Sequence, residues 1–168
     1  PTAESLRGAI ATTYGVDAED VVVGTGSLGA LSQIISTFAG TRSDGGQDEV
    51  IYAWRSFEAY PIVVRTAGAK DVMIPVTEDG RHDLAAMLEA ITDETRVILL
   101  CTPNNPTGPA LTHTEVAEFL AQVPEDVVVV IDEAYQEFVR IEDPLDSLAL
   151  YRSHPNVVVL RTFSKAYG

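Results

Sequence analysis

The sequence predicts an α/β fold: a doubly wound, mostly parallel sheet held between helices, three layers deep as α/β/α. Three observations lead there. Short runs of Val, Ile and Leu recur along the 168 residues. Stretches with apolar residues at helical spacing separate those runs. The two kinds of segment alternate, as a layered βαβ arrangement requires.

Taken in order, Leu6, Ile10 and Tyr14 suggest an opening helix. A first strand is expected at 21–24, Val-Val-Val-Gly. Leu28, Leu31, Ile34, Ile35 and Phe38 form the next helical stripe. The polar, glycine-containing stretch 41–49 reads as a surface connection. Further strands are expected at 50–53, 72–75, 97–101, 127–131 and 157–160. Several are near-continuous in apolar residues, the mark of strands covered on both faces of a parallel sheet. Leu84, Met87, Leu88 and Ile91 keep the helical period, and so do Val116, Phe119 and Leu120. Before the latter group, Thr112 and Glu115 stand three apart, the spacing of a capping box.

Composition narrows the function classes. With 46% hydrophobic and 21% charged residues, the chain reads as one globular domain. A net charge of -14 repels phosphate backbones and argues against a nucleic-acid partner. No apolar run approaches the roughly 20 residues of a membrane span. The single cysteine, Cys101, excludes an internal disulfide and a Cys-rich zinc site and fits a cytoplasmic compartment. His82, His113 and His154 are scattered without metal-ligand spacing and read as surface residues; no metal site is expected. The abrupt "PTAE" and "RTFSKAYG" at the two ends suggest a piece of a longer chain.

In open α/β sheets ligands bind outside the carboxyl ends of the strands. The segments that follow the strands are therefore the place to look. They read Gly-Thr-Gly-Ser, then "TPNNPTG", "DEAY" and "RTFSKAYG". Gly24, Gly26 and Gly29 spell G-x-G-x-x-G, a dinucleotide fingerprint on paper. That reading wants an acid at the end of the next strand, where "VIYAWRSFE" offers aromatic and basic residues. A plain strand-to-helix turn is the competing explanation. Either way, a helix starting near Ser27 presents free N–H groups that suit a phosphate. "VVVVIDEAY" imitates the acidic strand end of nucleoside triphosphatases, but neither lysine sits in the matching phosphate loop. Asp132 follows four apolar β-branched residues, so it reads as partly buried and in need of a cation. Asn105 lies in a stiff, proline-rich loop that otherwise reads as a surface turn. Lysines number only two, Lys70 and Lys165. Lys165 sits in a small-residue loop after an apolar strand, with Thr162 and Ser164 beside it. A surface lysine is the bland reading; a desolvated lysine can form a Schiff base.

Together these segments offer a phosphate cradle, an amide, a carboxylate near a phenol, and an amine. Pyridoxal 5'-phosphate calls for that set, because its aldehyde takes a lysine and its ring nitrogen a carboxylate.

The quoted motifs, in the order "WRSFEAYP", "CTPNNPTG", "VVIDEAYQEF" and "LRTFSKAYG", resemble the fold-type I, pyridoxal-phosphate-dependent aminotransferases of class I and II. The likeness is strongest to the histidinol-phosphate and aromatic (phenylalanine-type) branches and covers nearly the whole chain. It implies an incomplete large, cofactor-binding domain over 1–168. By resemblance, Lys165 is the Schiff-base lysine and carries the proton. Asp132 pairs with the pyridine nitrogen, Tyr135 and Asn105 bond the ring's phenolic oxygen, and Phe57 stacks on the ring. Gly26, Ser27 and the backbone N–H of Leu28 hold phosphate with Thr162 and Ser164. Two positions depart from the pattern. Leu28 stands where an acid or amide is common, leaving only its backbone, and Phe57 replaces a tyrosine and loses a phenol. The resemblance further implies a homodimer, an amino-acid donor and a 2-oxo acid acceptor such as 2-oxoglutarate. It also places a phosphate-binding arginine, a small domain, an N-terminal arm and an antiparallel strand outside 1–168. That strand would lie between the runs 21–24 and 157–160, so the isolated piece is expected to be inactive with sheet edges exposed. Two readings stay open beside it: a related decarboxylase of a phosphorylated amino acid, and a non-catalytic nucleotide-binding module or bare scaffold.

Overall fold

The computed structural model describes residues 3–168. Its sheet has five strands: β1 Glu49–Trp54, β2 Lys70–Pro75, β3 Thr95–Cys101, β4 Val128–Asp132 and β5 Val157–Leu160. Their order is β2-β1-β3-β4-β5, and every pairing is parallel. The helices are α1 Glu4–Tyr14, α2 Gly26–Phe38, α3 Tyr60–Thr66, α4 Leu84–Glu89, α5 His113–Leu120 and α6 Ser147–Ser153.

Strand alternation divides the core in two. On one face Val97, Leu99 and Cys101 of β3 pack with Leu31 and Ile35 of α2 and Tyr60 and Val64 of α3. On the other, Ile98 and Leu100 pack with Met87 of α4, Val116 and Phe119 of α5 and Leu150 of α6. This is the doubly wound, three-layer arrangement the sequence predicts. The capping box is present: Thr112 Oγ1 accepts from Glu115 N–H at 3.1 Å, and the Glu115 carboxylate from Thr112 N–H at 2.8 Å. Asp83 and Asp146 cap α4 and α6 in the same way, each accepting from the N–H three residues on.

Some expectations need correction. Residues 21–24 form no strand. A ladder needs a neighbour, and between this segment and β5 lies a hollow of about 200 Å³ lined by Val21, Val22, Val157 and Val159. Val22 is consequently exposed. His82 is not a surface residue; it is 6% exposed. The adjoining Arg81 takes the charged contact to Glu115 at 2.7 Å, and burial holds the His82 imidazole neutral by pushing its pKa down to about 4. The polar connection ends one residue sooner than expected. Glu49 opens β1 buried, with Lys70 at 2.8 Å and the Thr92 hydroxyl donating at 2.7 Å. Two seven-residue helices, α3 and α6, were not among the expected elements.

Candidate active site

The carboxyl ends of the strands meet in a cleft of about 320 Å³. Its lining comes from five separate segments: Gly26, Ser27 and Leu28; Phe57; Asn105; Asp132 with Tyr135; and Ser164 with Lys165. Nine of the ten expected site residues thus share one space. Thr162 is the exception. It faces an adjoining hollow of about 430 Å³ that Ser164 also lines, and its Oγ1 lies 2.8 Å from Ser164 Oγ.

Asp132 is the last residue of β4, and period-two alternation carries it to the α2–α3 face with Val130. It is 5% exposed. One carboxylate oxygen accepts from the Tyr60 phenol at 2.7 Å, the other from Ala134 N–H at 3.2 Å. Burial raises its pKa above the ordinary carboxylate range; the Tyr60 and Ala134 hydrogen bonds and the Lys165 charge oppose the rise. No ion pair joins it to a cation among the described residues. An acid held in this way is short of positive charge on its cleft side.

The two lysines have different surroundings. Lys70 is committed to Glu49. Lys165 stands exposed in the turn after β5, its Nζ 5.4 Å from the centre of the Tyr135 ring. Facing them, α2 begins at Gly26 without a side-chain cap, so its first N–H groups are free of an internal partner. The glycine fingerprint has a steric basis. A Cβ on Gly24 would come within 2.6 Å of Ala30 N, and one on Gly29 within 2.6 Å of Thr25 Oγ1. Those glycines let the loop fold onto the first turn of α2, while Gly26 adopts φ +72°.

Asn105 and Phe57 lie on loops that are locked to each other. Asn104, buried, accepts from Ser56 Oγ at 2.6 Å and donates to Arg55 O at 2.9 Å and Thr107 Oγ1 at 2.7 Å. Sequence reasoning missed Tyr60 and Cys101. Tyr60 follows Phe57 by three residues at a helix start, and their rings meet edge to face at 5.7 Å; that spacing was the available signal. Cys101 ends β3 in the floor of the cleft, its thiol pushed up to about 11 by burial.

Fold and cleft define a class: a doubly wound α/β domain with a polar ligand site at the carboxyl rim of its sheet. The sequence profile of the family "Aminotransferase class I and II" matches residues 1–168, and the chain belongs to that family. An aromatic amino acid aminotransferase of Cutibacterium acnes is 58% identical over 167 residues, 99% of this chain and 46% of that protein. A histidinol-phosphate aminotransferase of Sinorhizobium meliloti, solved in complex with pyridoxal-5'-phosphate, superposes with TM-score 0.83 at 29% identity, covering 100% of this chain and 45% of that one. An L-threonine-O-3-phosphate decarboxylase of Porphyromonas gingivalis gives TM-score 0.81 at 30% identity, covering 100% of this chain and 49% of that one. The chain spans just under half the length of the curated relatives it matches. Among the described residues no helix is long and apolar enough to cross a membrane, and no His, Cys, Asp and Glu group is placed to hold a metal ion.

Proposed function

We propose that the protein carrying this chain is a pyridoxal-phosphate-dependent aminotransferase that moves an amino group between an aromatic amino acid and a 2-oxo acid, 2-oxoglutarate in the first instance. The observation that carries the reading is the single cleft that gathers Lys165, the buried Asp132 and the uncapped start of α2. Relatives at 50–58% identity bear the aromatic name, which favours aromatic substrates over histidinol phosphate. The same proposal includes an incomplete cofactor-binding domain over 1–168, inactive alone, in a cytoplasmic homodimer.

The donor set of the cleft fits pyridoxal 5'-phosphate. A volume of about 320 Å³ lies at the small end of ligand pockets. In the proposed roles, Asp132 gives the ring nitrogen its missing counter-ion, and Asn105 and Tyr135 face the phenolic oxygen. Phe57 lies against the ring. Gly26, Ser27 and Leu28 N–H groups and the Ser164 hydroxyl hold the phosphate, with Thr162 orienting Ser164. Lys165 anchors the group and then carries a proton from the substrate's α carbon. When bound, the cofactor supplies an electron sink for the charge that develops at that carbon. Cys101, kept as a neutral thiol, leaves the floor of the site unreactive.

The test uses the full-length protein. Borohydride reduction in the presence of pyridoxal 5'-phosphate is expected to leave a phosphopyridoxyl group on Lys165 by peptide mass spectrometry, absent from Lys165→Ala. Phenylalanine with 2-oxoglutarate is expected to yield the aromatic keto acid and glutamate. Label on Lys70, or none, rejects the assignment. Carbon dioxide release in place of a keto acid selects the decarboxylase reading, which the Porphyromonas gingivalis likeness keeps in play.

A further inference from the structure

We propose that the ion pair between Glu133 and Arg161 is a positioning device that sets where the Lys165 loop leaves the sheet, and so the spacing of Lys165 from Asp132. The inference rests on the functional reading above only for its consequence; its geometry stands alone.

The β4–β5 ladder ends at the pair Asp132 and Leu160. The last backbone bond across it runs from Glu133 N–H to Leu160 O at 2.8 Å. Beyond that point the two chains part, one into the turn at Gln136–Phe138, the other toward Lys165. At this fork a side-chain clamp replaces the ladder. Glu133, 2% exposed, accepts on one oxygen from Arg161 Nε at 2.9 Å, Arg161 Nη2 at 2.8 Å and Ser147 Oγ of α6 at 2.9 Å. The Arg161 guanidinium also lies over the Tyr14 ring of α1, 4.7 Å from its centre. The ends of β4 and β5 and the helix α6 therefore meet on one carboxylate, and α1 stacks on its arginine. From Thr162 onward to Lys165 the hydrogen bonds stay inside the turn, between Thr162 and Ser164. Arg161 is thus the last firm anchor before the amine.

Stability alone is a poor account of such a pair. Neutral residues of similar volume commonly replace a buried ion pair without loss. Two guanidinium nitrogens converge on one carboxylate oxygen while the guanidinium plane lies over the Tyr14 ring, and this does what a greasy pair cannot: it fixes direction as well as distance.

The experiment uses the full-length protein with the double variant Glu133→Gln, Arg161→Met. Its melting temperature is expected to stay near wild type. Amide exchange in 162–168 of the cofactor-free form is expected to rise about tenfold or more, with β3 unchanged. The dissociation constant for pyridoxal 5'-phosphate is expected to rise by about tenfold or more, since small misplacements of a reacting group carry costs of that order. Should the double variant fail to fold, Arg161→Lys keeps the charge, loses the fork and stacking, and is expected to show the same local signature. Wild-type exchange in 162–168 together with wild-type affinity overturns the proposal, as does a uniform rise across the sheet. A wild-type protein that takes up no pyridoxal 5'-phosphate, while the variant's loop still loosens, sinks the functional reading and leaves the clamp standing.

Discussion

At the end of β4, two adjacent carboxylates point to opposite faces of the sheet and are treated in opposite ways. Asp132 and Glu133 are both buried, and burial raises the pKa of both. On the α6 face, Glu133 has an arginine and a serine hydroxyl. On the cleft face, Asp132 has a neutral phenol, a backbone N–H and a space in front of it. Leaving a desolvated acid without a cation is unfavourable for folding. The contrast teaches which of the two serves the fold: a carboxylate whose charge is already balanced leaves nothing for a ligand to do, and one that is not balanced does.

Breaking the balanced side has the largest expected effect. Arg161→Ala strands the Glu133 charge in the interior, which costs about 3–5 kcal/mol when one partner of a buried pair is removed. Urea unfolding of the full-length protein measures it, and a loss under about 1 kcal/mol, the level of an exposed pair, erases the distinction between the two faces. The unbalanced side should respond in the other currency. Asp132→Asn keeps an acceptor for the Tyr60 phenol but removes the charge. Turnover is expected to fall about 10²–10³-fold, the scale for one pre-organised electrostatic group. Stability should not fall with it. A carboxyl whose pKa is raised in the fold has its proton held more tightly there, so its ionisation costs stability as pH rises from the ordinary carboxylate value through the raised one. At neutral pH the cofactor-free asparagine variant is therefore expected to melt at or above cofactor-free wild type, and a lower melting temperature with near-normal turnover inverts the comparison.

How much of this was legible beforehand follows the same divide. The sheet was legible because β3 and β4 are saturated with Val, Ile and Leu, and a strand covered on both faces has no other composition. The rim was legible because the unusual polar segments fall immediately after those strands. Asp132 stood out through the four apolar β-branched residues before it. Tyr60 was marked only by its spacing from Phe57; its bond to Asp132 was not legible, because a 72-residue separation is invisible to local pattern. The Glu133–Arg161 clamp was hidden for the same reason, across 28 residues. Residues 21–24 carried a sound strand signal, three valines, and failed because a ladder depends on a partner that no local sequence encodes. His82 failed differently: scattered spacing argues against a shared metal site but says nothing about burial.

His82 offers a third way of burying a polar group, neither paired nor left charged, and its pH response isolates it. Its Nε2 is buried without a hydrogen-bond partner, and desolvation with the nearby Arg81 charge brings the pKa from 6.5 to about 4. The unfolded chain therefore takes up this proton first. Stability from His82 is complete above about pH 6.5, declines as pH falls toward about 4, and is constant below. At about 1.4 kcal/mol per unit, the full decline is on the order of 3 kcal/mol. Asp132 and Glu133 act with the opposite sign in the acid range, since their raised values favour the fold as they protonate. Wild type alone would show only the sum. The difference between wild type and His82→Gln, followed by thermal melts from pH 7 to pH 4, separates them: the variant should lack the acid-side decline, so the gap between the two narrows or reverses with falling pH. Parallel curves across that window mean the imidazole is already charged in the fold or reaches water, and remove it from the set of buried groups that the fold keeps neutral.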